Sequence, residues 1–311
     1  MKIAAVFPGQ GSQRPGMGRD FYEHSSEARR VYEEASDAMG WDVASLCFSD
    51  DSSLNLTEFA QPCILTTEIA ILSTLYSLND FSPDIYAGHS LGEYTALVAS
   101  GALPLADVLK LVHLRGRLMQ QAVQPGVGGM AACIAPDINP AAVKDCLEGL
   151  PMDIANINSA SQVVISGELR AMAESKDRLS ALLGEGAFRF ILLNVSAPFH
   201  SRFMCPIEEQ FDEALASARK GLKPRHATRV ASNYTGSFHS EDPGEIEDRL
   251  VAQISNTVRW DANMRSVQSR ADVVYEIGPN RPLREFFKAV GINCASVTSF
   301  SAARRLFGGE G

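Results

Sequence analysis

Residues 85–103, IYAGHSLGEYTALVASGAL, set Gly88, His89, Ser90, Leu91 and Gly92 between an extended apolar run and a helical one. DIYAGH (84–89) reads as a buried strand, and LGEYTALVAS (91–100) as a helix that Gly101 stops. Gly88-x-Ser90-x-Gly92 between a strand and a helix is the pattern of a nucleophile turn. The two glycines allow a sharp bend, and Ser90 is held exposed above the sheet edge. The helix begins with free backbone N–H groups, so the Leu91 amide is placed to stabilise an oxyanion formed when Ser90 attacks a carbonyl. The bland alternative is a tight turn that needs two glycines and does no chemistry; the strand-to-helix context favours the nucleophile.

Outward from this turn the chain reads as α/β. KIAAVF (2–7) is a second buried strand followed by a Gly/Pro turn, so strand, turn and helix recur. Between Gly126 and Val195 the order changes: strand GMAACIA, helix NPAAVKDCLEGL, strands DIANINS and QVVISG, helix LRAMAESKDRLSALLG, strand FRFILLNV. This β-α-β-β-α-β order is the ferredoxin-like motif, which closes a small sheet of its own. The expected organisation is a large α/β body of residues 1–125 and 196–311 with a small subdomain, 126–195, inserted in it.

Composition bounds the function. The 311 residues are 45% hydrophobic without a run of about 18 apolar residues, which predicts a soluble globular chain and no membrane partner. The apolar start of the chain is broken by Pro8 and Gly9, too early for a secretory signal, so a cytoplasmic location is expected. The six cysteines form no CxxC pair, which argues against a zinc site and a disulfide framework and fits a reducing compartment. A formal charge of −9 opposes nucleic-acid binding; an acidic protein partner would need a local basic patch.

A serine nucleophile needs a base, and the histidines are 24, 89, 113, 200, 226 and 239. His89 adjoins Ser90 but points away from it on an extended segment, and His113 falls on the polar arc of its helix. His200, in NVSAPFHSRFM after the last strand of the insert, is delivered to the junction of the two subdomains. It is favoured over His226 and His239, which stay open. Arg115 is the most informative residue. On a helical wheel of 105–122 the apolar arc runs through Leu105, Val108, Leu111, Val112, Leu118 and Met119, and Arg115 falls near its middle. A guanidinium stays charged and is not buried unpaired. It either makes a structural salt bridge to a core carboxylate such as Glu93 or Asp153, or clamps a substrate carboxylate. FPGQGSQRPGMG (7–18) lacks the third glycine of a dinucleotide fingerprint, where Arg14 stands, and no GK[ST] follows. This loop is expected to supply a second oxyanion amide, from Gln10; the alternative is a glycine-rich turn with no role.

The blocks FPGQGSQ (7–13), FAQPCI (59–64), GHSLGEY (88–94), RGRLMQ (115–120), NSASQVVISG (158–167), SAPFHS (196–201) and QISNTVRW (253–260) resemble, in order, the signature blocks of malonyl-CoA:acyl carrier protein transacylases over nearly the whole chain. The resemblance implies an α/β-hydrolase-like core with the ferredoxin-like insert. It implies Ser90 as the acylated nucleophile, His200 as base, Gln10 and Leu91 as oxyanion-hole amides, and Arg115 as the carboxylate clamp. It further implies that the Gln253 backbone carbonyl orients the histidine, making a Ser-His dyad, and that Gln61 and Met119 line the pocket. Malonyl-CoA and an acyl carrier protein are the implied partners, with no metal or bound cofactor. Phe199, where many fatty-acid enzymes carry a small residue, leans toward a discrete acyltransferase acting in trans for a polyketide synthase. Two rivals remain: a hydrolase of the same fold that clears acyl groups from carrier proteins, and a non-catalytic docking module. Arg115 argues against the first and the intact nucleophile turn against the second.

Overall fold

The computed structural model describes residues 1–78 and 81–308. Strands β1 (Ile3–Phe7), β2 (Ile85–Gly88), β7 (Val273–Ile277) and β8 (Cys294–Val297) form an all-parallel sheet in the order β2-β1-β7-β8. Ala4, Ala5, Val6 and Phe7 are all fully buried, the continuous apolar strand expected when helices cover both faces of a sheet. Phe7 lies opposite Gly88 in the register, so the FPGQG loop and the GHSLG turn leave the sheet side by side at its carboxyl edge. This is the edge at which open α/β sheets hold their ligands.

Strands β3 (Gly128–Ile134), β4 (Met152–Ser159), β5 (Gln162–Glu168) and β6 (Arg189–Leu192) form a second sheet, antiparallel throughout, in the order β4-β5-β3-β6. That is the ferredoxin-like order. Side chains alternate across it. Ala131, Cys133, Val163 and Ile165 join Val143 and Leu179, from helices Pro140–Cys146 and Met172–Leu183, in a separate apolar core. Met130, Ala132 and Val164 point the other way and pack with the main core. The first of these helices stops short of the predicted 139–150, its chain turning at Gly149 (φ 81°).

Two helices bring polar groups to the junction of the sheets. Thr57–Leu78 contains Pro62, which has no N–H to bond the Glu58 carbonyl one turn back; His113 Nδ1 takes that carbonyl instead, at 2.8 Å. His113 belongs to helix Leu105–Gln121, which approaches so closely that a Cβ on Gly116 would lie 2.5 Å from the Thr57 carbonyl oxygen. This contact sets Arg115 beside Gln61. No helix among the described residues is long and apolar enough to cross a membrane.

Candidate active site

Ser90 sits between β2 and helix Leu91–Ala99 with φ 52° and ψ −103°, a backbone conformation costing a non-glycine residue about 1–3 kcal/mol. The bend is therefore carried by the serine itself. The glycines serve close approach: a Cβ on Gly88 would lie 2.0 Å from the Gly92 carbonyl carbon, and one on Gly92 would lie 2.2 Å from the Phe7 carbonyl oxygen. Their φ angles are not positive, so the glycines allow the sharp bend through the close approach of their backbones and not through a left-handed conformation.

His200 Nε2 lies 2.7 Å from Ser90 Oγ, and its Nδ1 lies 2.8 Å from the Gln253 carbonyl oxygen. A carbonyl only accepts, so Nδ1 carries the proton and Nε2 offers its lone pair to the serine hydroxyl. Gln253 belongs to the last turn of helix Pro243–Ser255, where carbonyls have no partner within the helix. Burial, and next the Arg115 charge, push the His200 pKa down to about 3, so the ring is neutral at neutral pH. The other two open candidates lie elsewhere: His226 bonds the Ser100 carbonyl and His239 bonds Glu93.

Arg115 is 1% exposed. Nη1 donates to Gln61 Oε1 at 2.9 Å, Nη2 to Gln253 Oε1 at 3.0 Å and to Ser90 Oγ at 3.1 Å, and the guanidinium lies 5.2 Å from the centre of the Tyr94 ring. Its Nε has no hydrogen-bond partner among the described residues. The structural salt bridge considered from sequence is absent among the described residues: Glu93 pairs with His239 and Asp153 with Arg202. A buried cation whose hydrogen-bond partners are neutral, one of them Ser90 Oγ, leaves room for an anion from solution.

The Gln10 and Leu91 amides make no hydrogen bond among the described residues, while the Gln10 side chain is anchored on Thr57 at 3.2 Å. The loop holding Gln10 presses on the nucleophile turn, since a Cβ on Gly9 would lie 2.4 Å from the His89 carbonyl oxygen. A cleft of about 900 Å³ opens between the two sheets, lined by Gln10, Ser90, His200, Arg115, Gln61, Met119 and Phe199. The Leu91 side chain is buried outside it.

Comparison with known proteins gives the family of the chain. Residues 5–288 match the acyl transferase domain family. Malonyl CoA-acyl carrier protein transacylase of Bacillus subtilis is 38% identical over 93% of this chain and 90% of its own length; that of Haemophilus influenzae is 37% identical over 97% of both. The corresponding structure from Acinetobacter baumannii superposes with a TM-score of 0.89 at 35% identity, covering 98% of this chain and 97% of that one. A malonyl-transacylase solved with a type II polyketide synthase acyl carrier protein superposes with a TM-score of 0.88 at 31% identity over the whole of both chains. The chain belongs to the malonyl-CoA–acyl carrier protein transacylases.

Several residues of this acyltransferase that hold the site were not visible in its sequence. Asn233 Oδ1 accepts from the Ser90 amide at 2.6 Å while its Nδ2 donates to the Gly88 carbonyl at 2.8 Å, clamping the turn from both sides. It reaches there because residues 229–231 run alongside β2, with Ala231 N bonding the Tyr86 carbonyl. His89 Nε2 lies 2.8 Å from Asn158 Oδ1 of β4, tying the turn to the small sheet. Asn158 stands in a block quoted above, but Asn233 lies in a stretch, SNYTGS, whose composition reads only as a turn.

Proposed function

We propose that this protein transfers a malonyl group from malonyl-CoA to the phosphopantetheine thiol of an acyl carrier protein through a malonyl-serine intermediate. The observation that carries this reading is Arg115, a buried guanidinium 3.1 Å from Ser90 Oγ with only neutral hydrogen-bond partners. It would hold the malonyl carboxylate and so place the thioester carbon at the serine.

His200 Nε2 takes the Ser90 proton as Oγ bonds to the thioester carbon, and the Gln10 and Leu91 amides receive the oxyanion. Collapse breaks the carbon–sulfur bond, His200 returns its proton to the departing coenzyme A sulfur, and the malonyl ester remains on Ser90. The carrier thiol then gives its proton to His200 and attacks the ester, and Ser90 leaves as the hydroxyl. Gln61, Met119 and Phe199 shape the acyl end of the cleft, and Gln253 orients His200. We read residues 1–125 and 196–311 as the catalytic body and 126–195 as the small subdomain, which the separate apolar core supports. Six unpaired cysteines fit action in the cytoplasm.

A second reading concerns the pathway. Phe199 in the cleft and the solved relative bound to a polyketide synthase carrier favour polyketide synthesis in trans over fatty-acid synthesis. Incubation with malonyl-CoA and carrier proteins of both kinds tests function and pathway together. Carriers bearing phosphopantetheine should gain one malonyl group and those without it none, and the polyketide carrier should be loaded faster. Loading that ignores the phosphopantetheine arm would overturn the transfer; faster loading of the fatty-acid carrier would overturn the pathway alone.

A further inference from the structure

Behind the nucleophile helix lies a histidine–carboxylate pair that lines no part of the cleft. Glu93 and His239 are both buried, and His239 Nε2 donates to Glu93 Oε1 at 2.9 Å. The other oxygen, Oε2, accepts from Gln253 Nε2 at 2.7 Å and from the Asn233 amide at 3.0 Å. Both carboxylate oxygens are therefore satisfied by donors, which is what allows the group to lie buried.

The partners of Glu93 are the residues that hold the catalytic groups. Gln253 Nε2 also donates to the Ser90 carbonyl at 3.0 Å, its Oε1 accepts from Arg115, and its backbone carbonyl accepts from His200 Nδ1. Asn233 clamps the Gly88 carbonyl and the Ser90 amide. A side-chain amide has a donor end and an acceptor end. With Glu93 taking the donor end of Gln253, the acceptor end must face the guanidinium. Arg115 has no carboxylate in contact among the described residues, so Glu93, one amide away through Gln253, is the carboxylate that faces it across the bridge.

We propose that Glu93, held in place by His239, is the positioning residue of this active site: through the Gln253 and Asn233 side chains it fixes Ser90, His200 and Arg115 in register. It touches no substrate. The inference rests on the roles proposed above for those three residues.

In a Glu93→Gln protein the new amide has a donor end that must face one of three donors. Either it loses a bond, or Gln253 turns its own N–H toward Arg115, or His239 moves its proton to Nδ1 and accepts at Nε2; in each case the negative charge that faces Gln253 is gone. The test follows the malonylation of Ser90 by rapid mixing with malonyl-CoA and intact-mass detection, reading rate and endpoint separately. Glu93→Gln should reach full labelling tenfold to a hundredfold more slowly than wild type. His239→Leu, which removes the donor to Oε1, should slow it roughly tenfold, whereas His239→Gln, whose amide can donate to the same oxygen, should stay within threefold of wild type. Gln253→Ala keeps the backbone carbonyl but removes one of the two links, so in that background Glu93→Gln should cost clearly less than it costs in wild type. The inference is overturned if Glu93→Gln labels at the wild-type rate, if its endpoint falls in step with its rate, as a merely structural role requires, or if the Glu93 and Gln253 losses multiply. Should Glu93→Gln fail to fold, equal rates for the two His239 variants overturn it. A wild type that takes no label would instead sink the proposed function.

Discussion

At Arg115 the chemistry is set by what a guanidinium cannot do: it cannot shed its proton, and buried among Gln61, Gln253 and Ser90 it has no anionic contact. Arg115→Ala should cost malonyl transfer roughly 2–4 kcal/mol in kcat/KM, while acetyl transfer, with no carboxylate to bind, falls less or rises. Steady-state rates with the two thioesters check this; equal losses would make the residue structural. Phe199 lines the cleft next to His200, so an α-methyl branch should meet its ring at a cost of about 1–3 kcal/mol. Wild type should prefer malonyl- to methylmalonyl-CoA by roughly tenfold to a hundredfold, and Phe199→Ser should narrow the ratio by raising methylmalonyl turnover. A competition assay in which the serine variant keeps the wild-type preference would remove Phe199 from that role. Ser90 and Arg115 stood out in the sequence because each breaks a local rule: a serine between glycines, an arginine on an apolar arc. Asn233 and the Glu93–His239 pair break none, since buried polar groups that satisfy one another look, in one dimension, like ordinary turn and helix residues.

Among the elements, the small sheet was the most legible, because its β-α-β-β-α-β order admits the observed strand order β4-β5-β3-β6. Close helix approach was not. Periodicity marks the apolar arc of Leu105–Gln121, but nothing in it says that Gly116 must meet the backbone of Thr57–Leu78, or that His113 serves the carbonyl left free by Pro62. Gly116→Ala should force these helices apart, lowering stability by about 1–3 kcal/mol and displacing Arg115 from Gln61. Urea unfolding and malonyl transfer measured together test this. The expected result is a loss of both, and a fully stable, fully active variant would show the contact to be compliant.

For the molecule as a whole, the cleft lies where two sheets with separate cores meet, and its charge state follows from being buried there. Burial and the Arg115 charge lower His200 to about 3 against 6.5 for a free imidazole. Between these values the unfolded chain binds a proton that the folded chain does not. The stability contributed by this group is therefore full above pH 6.5 and is lost as pH falls toward 3, at up to about 1.4 kcal/mol per pH unit. Glu68 and Glu276, both raised by burial and the latter to about 7, run the other way. Their contribution is full below pH 4.5 and is lost as pH rises through their folded values. Of these three groups only His200 takes part in the proposed chemistry, so the acid limb of kcat/KM for malonyl-CoA should lie well below pH 6.5. A limb at or above 6.5 would mean that the base is solvated in the working enzyme.

The malonyl-serine at Ser90 is tested most directly by intact-mass spectrometry of the protein mixed with malonyl-CoA, before and after adding a phosphopantetheine-bearing carrier protein. Wild type should gain one malonyl group and pass it to the carrier, and Ser90→Ala should gain none. A Ser90→Ala protein that labels fully, or a wild-type label that water removes faster than the carrier does, would contradict the account.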